Sequence, residues 1–189
     1  MNTLAPARMT VEEFLALPDD GIDRMLIDGK LVEMGRTRRN QFHCEIVALV
    51  TFALLGWRAT QPKPRGKVLT GDTGFCLPDG SETIVGIDVC YVSVDVLSQQ
   101  TKDSSIIQGI PVLAVEVLSP SDTQKNIKLK LATYRRAKVS LVWFIDSDDR
   151  TVTVYRPGAK PKLVDDTMEL SGEPELPGFS VMASQLFEK

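Results

Sequence analysis

The pattern of apolar and polar positions along the chain predicts a protein built from both strands and helices. Unbroken apolar runs at residues 83–92, 111–118 and 140–146 are typical of strands that are buried on both faces of a sheet. The alternating segment 151–155 follows the last of these runs after a polar turn, which predicts a hairpin. Asp28-Gly29, between two other apolar runs, predicts an N-terminal hairpin.

Capping signals predict the helices. Residues 10–13 and 121–124 have the spacing of a capping box, which predicts helices at 11–17 and from 122 to about 137. Asn40 can cap a long helix that continues through Trp57, and we expect this helix to be central because nearly every face of it is apolar. The remaining predicted elements are strands at 67–70 and 73–77, an irregular polar segment at 95–109 and a short helix near 183–187.

The order of these elements predicts the fold class. A helix, two strands and a helix are followed by four strands, a helix and two more strands. That order is typical of an α/β (α+β) protein with one mixed β-sheet flanked by helices. The 189 residues suffice for one sizeable core, and no linker or repeat interrupts them, so we expect a single domain over residues 1–189.

Composition narrows the class of protein. Apolar residues make up 43% and charged residues 25% of the chain, which is ordinary for a soluble protein. Three cysteines without a Cys-x-x-Cys pair argue against a disulfide framework and a structural zinc site, and predict reduced thiols in the cytoplasm. The N-terminus lacks the apolar stretch of a signal peptide. The apolar stretch at 42–57 is too short and too polar to span a bilayer, so we expect no membrane partner.

Two acidic residues stand out in this apolar setting. Glu116 lies within the run 111–118, and Asp88 lies within the run 83–92. A buried carboxylate is costly unless it is paired, hydrogen-bonded or bound to a metal. Two strands that each carry one acid can bring two hard oxygen ligands together for Mg²⁺ or Mn²⁺. The alternative is that each acid is a satisfied polar group of the core or faces solvent at an edge strand.

A basic residue on the following helix can join these acids. At about 100° per residue, Lys130 lies beside Tyr134 on the sheet-facing edge of the helix. Lys125 and Lys128 fall on the solvent side. The helix follows the Glu116 strand and should pack back over it, which brings the Lys130 ammonium to the carboxylates unless the side chain extends to solvent. An Asp, a Glu and a Lys that converge in this way suit metal-assisted hydrolysis of a phosphodiester.

His43 and a basic cluster are further candidates. His43 is the only histidine and lies on a nearly all-apolar helix, so a satisfied core role and a role at the site both remain open. The net charge of −3 gives no general attraction to nucleic acid, so phosphate contacts must come from local clusters. Arg36, Arg38 and Arg39 precede the long helix and could contact a phosphate backbone, although a charge run is more often only a solvated face.

Several segments, spread over nearly the whole chain, form a recognisable combination. They are Pro111-Val-Leu-Ala-Val-Glu-Val-Leu-Ser-Pro-Ser-Asp122, Lys130-Leu-Ala-Thr-Tyr134, Leu141-Val-Trp-Phe-Ile-Asp146, Ile27-Asp-Gly-Lys-Leu-Val32, His43, Pro177-Gly-Phe179 and Leu186-Phe187. Together these segments resemble the Uma2 family, also called DUF820, which belongs to the PD-(D/E)XK nuclease superfamily with a restriction-endonuclease-like fold.

The resemblance implies roles for the candidate residues. Asp88 matches the Asp of the PD motif and Glu116 the acid of the (D/E)XK motif, so both are implied metal ligands. Leu118 stands where the motif has its Lys. In this family the role of that Lys is implied to lie on the following helix, at the position of Lys130. His43 matches a family His at the start of the first long helix. The implied activity is that of a Mg²⁺- or Mn²⁺-dependent endonuclease acting on nucleic acid, with DNA expected.

Three departures from the family pattern leave a second function open. Ile87 replaces the motif Pro, Gly86 replaces the usual Arg, and Met25 stands where many members carry a further site Glu. The alternative is therefore a catalytically degenerate protein that keeps the nuclease fold as a nucleic-acid-binding or assembly module. We also expect a homodimer, because duplex cleavage needs two sites and because residues 140–155 and the N-terminal hairpin offer β edges.

Overall fold

A mixed β-sheet with helices on both faces forms the centre of the molecule. The computed structural model describes residues 8–18, 20–36, 40–78, 80–119 and 122–187, with all their side chains except those of residues 35 and 36. The helices in this part of the chain are α1 (Val11–Leu15), α2 (Gln41–Thr60), α3 (Val94–Ser98) and α4 (Gln124–Arg136), and a 3₁₀ helix covers Ala183–Leu186.

The strands alternate with these helices and agree with the predicted α/β (α+β) class. They are β1 (Ile22–Ile27), β2 (Lys30–Arg36), β3 (Lys67–Cys76), β4 (Ile84–Val92), β5 (Ile107–Gln108), β6 (Leu113–Val117), β7 (Leu141–Asp146), β8 (Thr151–Tyr155), β9 (Lys162–Asp165), β10 (Glu169–Ser171) and β11 (Ser180–Met182). Seven strands follow the order β2-β1-β4-β6-β7-β8-β9, β3 pairs with β4 and β5, and β10 pairs with β11 apart from this sheet. The pairs β6–β7 and β3–β5 are parallel, so the sheet is mixed as predicted.

The caps and the turn that the sequence predicted for the N-terminal helix and hairpin are found in the structure. Thr10 and Glu13 form the capping box of α1, although this helix ends two residues earlier than expected. Asp28 and Gly29 both have positive φ, 53° and 69°, as a two-residue hairpin turn between β1 and β2 requires. Thr123 caps α4, whereas Ser121 of the predicted capping box lies outside the described residues.

Three local predictions were wrong. Residues 67–77 do not form two strands but the single strand β3, in which Gly71 and Asp72 make a bulge with positive φ of 91° and 57°. The segment 95–109 is not irregular throughout, because α3 and β5 lie within it. Residues 140–155 do not provide a free edge, since β9 pairs with β8 and leaves β7 in the interior of the sheet.

The long helix α2 is not central, contrary to expectation. One stripe of it packs on the sheet against a core that includes Val89, Val115 and Trp143. The buried members of this stripe are His43, Ile46, Val50, Leu54 and Trp57. On the opposite side, Phe52 is 77% exposed. Its apolar composition therefore reflects two separate surfaces rather than burial all round.

The helix α2 is longer than expected, because it continues past Trp57 to Thr60. Its 20 residues have a mean hydropathy of 1.4, so length and composition alone would allow it to cross a membrane. In the folded chain the helix lies against the sheet, and Trp57 donates from Nε1 to the carbonyl of Pro177 over 2.9 Å. Only 28% of its most apolar 18-residue window is buried, so the helix packs on the sheet through one stripe.

The second core lies on the other face of the sheet, under α4. Tyr134 of this helix is fully buried and packs in one cluster with Met25, Ala114 and Phe144. The two helices therefore cover opposite faces, and residues of both reach the middle strands β4 and β6. That position matters because these strands carry the two buried acids.

Candidate active site

The sheet opens next to Asp88. On β4 the pairing with β6 covers Val89 to Tyr91, and the pairing with β1 is confined to Ile84. Asp88 lies between these two contacts and is 5% exposed. The N–H of Val117, the residue after Glu116, donates to Oδ2 of Asp88 over 2.8 Å. The side chain of Asp88 thus satisfies a backbone group at the place where the ladder between the strands has ended.

Glu116 lies on the neighbouring strand β6 and is 3% exposed. Both oxygens of its carboxylate are hydrogen-bonded by α4. Lys130 donates from Nζ to Oε2 over 2.6 Å, and Tyr134 donates from its hydroxyl to Oε1. The buried acid is therefore satisfied by two partners on one helix, as a buried charge must be.

The connection between β6 and α4 brings these partners into place. The backbone N–H and the hydroxyl of Ser119 both donate to Asp122 Oδ2 over 2.8 Å, which fixes the turn that follows β6. Thr123 then caps the helix by accepting from the N–H of Asn126. Because the turn is short, α4 runs back over the strand that precedes it, and its sheet-facing edge meets Glu116.

The orientation of the lysines matches the helical phase read from the sequence. Lys130 is part-buried and reaches Glu116, whereas Lys125 and Lys128 are exposed. Arg136 is exposed and pairs with Asp28 over 2.9 Å. The basic surface of α4 therefore divides into one cation at the site and several at the surface.

His43 reaches the same place from the opposite face of the sheet. It is 4% exposed, and its Nε2 lies 3.3 Å from Oδ2 of Asp88. Within the described part of the chain, Nε2 makes no hydrogen bond. A buried polar atom without a partner is unusual and points to a water, an ion or a substrate atom as its missing neighbour.

These side chains surround a small cavity. Asp88, Glu116 and Lys130 line it together with Asp122 and Asn126. Its volume is about 20 Å³, and roughly 10–15 Å³ is enough to hold one water. Within the described ranges, no three His, Cys, Asp or Glu side chains are grouped as a complete set of metal ligands. Three carboxylates, those of Asp88, Glu116 and Asp122, line the cavity. Such oxygen donors fit a hard divalent ion that keeps water or phosphate oxygens as further ligands.

With the fold and this geometry established, the comparisons with known proteins identify the family. The family model Uma2, described as "Putative restriction endonuclease", matches residues 11–185. The chain belongs to the Uma2 family.

The fold of this Uma2 chain is shared by a solved structure. A crystal structure at 1.96 Å from Anabaena variabilis ATCC 29413, described as "a putative nuclease belonging to DUF820", superposes with a TM-score of 0.80 at 18% identity. The similarity covers 95% of this chain and 97% of that chain. At this level of identity the likeness concerns the fold, and it confirms the predicted fold class. None of the curated proteins matches the sequence.

The two acids of this Uma2 site differ in their affinity for a proton. Burial raises the pKa of Glu116 to about 7, because neither the charge of Lys130 nor the two hydrogen bonds fully offset the loss of water, and the nearby charge of Asp88 adds to the rise. Burial also acts on Asp88, but the contact with His43, the charge of Lys130 and the Val117 N–H outweigh it and lower the pKa to about 2. One carboxylate is therefore ionised throughout the physiological range, and the other titrates within it.

The neighbours of Glu116 respond to its charge. Although burial lowers the pKa of Lys130, the carboxylates of Glu116 and Asp88 outweigh burial and raise it, so this ammonium stays charged. Burial and the charge of Glu116 raise the pKa of Tyr134 well above its usual value, so its hydroxyl remains a donor. Burial raises the pKa of Cys90 to about 12, which makes this thiol inert.

The sequence did not identify every residue of the site. Tyr134 was assigned only to the apolar stripe of α4, and its bond to Glu116 was missed. Its position four residues after Lys130 was the available signal, since residues at this spacing share a helix face. Asn126 lies four residues before Lys130 on α4, so the same spacing was the available signal for it, whereas Asp122 precedes the helix and carried none.

Two further predictions concern residues around the site. Arg38 and Arg39 lie outside the described residues, as does the side chain of Arg36, so their predicted contact with nucleic acid stays a prediction. Met25, where the resemblance implied a further acid, is 2% exposed and contributes to the apolar cluster under α4. Among the described residues the site therefore has two buried acids, not three.

Proposed function

We propose that this Uma2 protein is a divalent-metal-dependent endonuclease that hydrolyses phosphodiester bonds in DNA. One observation carries the proposal: Asp88, Glu116 and Lys130 line a single cavity at an opening in the sheet. Membership of a family described as "Putative restriction endonuclease" supports a nuclease. The metal and the DNA substrate are the finer parts of the proposal, and they rest on the chemistry of these side chains.

Asp88 and Glu116 would hold Mg²⁺ or Mn²⁺. When bound, such an ion lowers the pKa of a coordinated water and offsets charge that develops on the phosphate. Each carboxylate oxygen has a second lone pair, so Glu116 can bind a cation while it keeps its bonds to Lys130 and Tyr134. Since two carboxylates do not complete a coordination sphere, water and phosphate oxygens would supply the remaining ligands, as is usual for Mg²⁺.

The other side chains would position the reacting groups. Lys130 places a fixed positive charge at the cavity wall, where it can orient a water or stabilise negative charge on the scissile phosphate. Tyr134 holds the second oxygen of Glu116 and so fixes the orientation of the carboxylate. His43 presents its Nε2 beside Asp88, where it can bond to a water or a phosphate oxygen or accept a proton.

Contacts with the substrate should be made mainly to the backbone. The net charge of −3 excludes a strong general attraction to DNA, so local cations must bind the phosphates. We assign this role to Arg36, Arg38 and Arg39, and expect binding to weaken steeply with salt. Cleavage of both strands of a duplex needs two sites, so the active species would be a homodimer, and the three free cysteines suit the cytoplasm.

A second function is favoured by one observation. Met25 packs in an apolar cluster, at a position where many family members carry an acid. A protein with the nuclease fold but a weakened metal site would act as a nucleic-acid-binding or assembly module without cleavage. Retention of Asp88, Glu116 and Lys130 in one cavity favours the enzyme.

Cleavage of supercoiled plasmid with Mg²⁺ or Mn²⁺ tests the proposal. We expect nicked or linear products with wild type, none in the presence of a chelator, and a loss of about 100-fold or more in Glu116→Ala. Glu169→Ala is the matched control, because Glu169 is an exposed acid on β10 and should retain full activity. Binding to DNA without cleavage by wild type would favour the module instead, and equal cleavage by both variants would indicate a contaminating nuclease.

A further inference from the structure

The helix α2 carries a second apolar surface that nothing in the described chain covers. Phe52 is 77% exposed and Leu55 is 45% exposed, and Ala48 and Ala59 are exposed on the same side. These four residues follow one another at intervals of four, three and four. That spacing places them in a single stripe along the helix, as in the seam between two packed helices.

The composition of this stripe is unusual for a surface that faces water. Only two of the 20 residues of α2 are charged at neutral pH, Glu45 and Arg58, whereas the exposed face of a surface helix is normally polar. A groove of about 450 Å³ runs beside the stripe, between α2 and the C-terminal segment, with Phe52, Gly56 and Val181 in its wall. Contiguous exposed apolar surface is typical of an interaction site.

We propose that this stripe joins two copies of the chain, with the two α2 helices antiparallel across a two-fold axis. A face that binds its own copy must be self-complementary. In the antiparallel arrangement, Ala48 of one copy lies opposite Phe52 of the other, and Phe52 lies opposite Ala48. A large side chain thus meets a small one twice, which allows the helices to approach closely.

The charges at the two ends of the helix support the antiparallel direction. The N-terminal half carries Glu45. The C-terminal end carries Arg58, and Arg65 joins it there by donating from Nη1 to the carbonyls of Arg58 and Ala59 over 3.0 and 2.9 Å. Antiparallel helices place the acidic half of each copy against the basic end of the other, whereas parallel helices would place like charges together.

A second copy fits this surface better than a lipid bilayer. Helices that lie on a membrane carry Lys and Arg along their polar face, and α2 has neither between residues 41 and 57. The opposite stripe of the helix is held in the protein core, so the helix cannot turn to enter a bilayer without losing that packing. The apolar stripe of α2, with Glu45 towards one end and Arg58 at the other, is complementary to the same stripe in the antiparallel direction.

The proposed interface leaves the candidate active site open. His43 lies on the side of α2 that faces the sheet, about 180° around the helix from Phe52. Two copies joined through the stripe would therefore keep both cavities accessible. The inference rests on the helix surface and not on the nuclease site. The interface can fail while cleavage of single strands remains, and cleavage can fail while the interface holds.

Light scattering or sedimentation on the purified full chain tests the interface. Wild type should have twice the 20.9 kDa mass of one chain. Phe52→Glu should be monomeric at the same concentration, with self-association weakened about 30-fold or more. Leu163→Glu is the matched control, because Leu163 is 59% exposed on β9, and this variant should remain a dimer.

Two further measurements make each outcome decisive. Ala48→Arg should also give a monomer. Circular dichroism shows whether each variant is folded, and if either Phe52→Glu or Ala48→Arg fails to fold, the other variant tests the interface. Flotation with anionic phospholipid vesicles examines the competing partner. A monomeric wild type, a dimer that survives both substitutions, or vesicle binding that Phe52→Glu abolishes would overturn the proposal.

Discussion

Replacement of Glu116 by Gln should change how the stability of the metal-free protein depends on pH. In the folded chain Glu116 is 3% exposed, and burial raises its pKa from the usual 4.5 to about 7. The native state therefore holds a proton on this residue at pH values where the unfolded chain has lost it. The resulting stabilisation is fully present below pH 4.5 and is lost as the pH rises through about 7.

The size of this effect follows from the pKa difference. One pKa unit corresponds to about 1.4 kcal/mol, so a rise from 4.5 to about 7 amounts to about 3 kcal/mol of unfolding free energy. For a chain of this length, that corresponds to a fall in Tm of roughly 6–12 °C between pH 4.5 and 8. Asp88 acts in the opposite sense, because its lowered pKa stabilises the fold above pH 3.8 and this contribution is lost as the pH falls through about 2.

Thermal melts from pH 4.5 to 8 in the presence of a chelator measure the effect. Wild type should lose stability across this window, whereas Glu116→Gln should show a much flatter profile and be more stable than wild type at pH 8. Glu169→Gln removes an exposed acid and should keep the wild-type profile.

Metal should act on the same residue. A divalent ion competes with the proton for the carboxylate, so Mn²⁺ should raise the Tm of wild type more at pH 8 than at pH 5.5. A hundredfold excess over Kd corresponds to roughly 2.7 kcal/mol of stabilisation. The reasoning would be refuted if wild type and Glu116→Gln had parallel pH profiles, or if Mn²⁺ shifted both equally.

Three other substitutions test neighbouring parts of the site. Lys130→Gln should lower the rate of plasmid cleavage by about 100-fold or more. Lys128→Gln, on the solvent side of the same helix, should leave the rate unchanged. Similar losses in both variants would contradict the assigned helix face. Tyr134→Phe removes a hydrogen bond to the charged form of Glu116 and should therefore raise the pKa of Glu116 further. The pH–rate profile of cleavage should then move to higher pH. An unchanged profile would show that the bond has no effect. Asp88→Asn should abolish the Mn²⁺-dependent rise in Tm, and a rise equal to that of wild type would remove Asp88 from the metal site.

Local patterns in the sequence were enough to predict the parts of the site that lie on single elements. A carboxylate in an otherwise apolar run is costly to bury, so Asp88 and Glu116 were recognisable without any knowledge of their neighbours. The phase of Lys130 followed from the constant rotation per residue in a helix, which fixes the face of a side chain once the apolar stripe is known. The hairpin at Asp28-Gly29 and the caps of α1 and α2 were likewise encoded within a few residues.

Contacts between distant segments were decided only by the tertiary structure. The approach of His43 to Asp88 joins residues 45 positions apart on a helix and a strand, and no periodicity in either element predicts it. The same is true of α2, whose apolar residues could not reveal that one stripe would meet the sheet and the other would remain exposed. Hydrophobicity determines which residues favour burial, but the surface that buries them comes from elsewhere in the chain, or from a second chain, and is specified only when the elements pack.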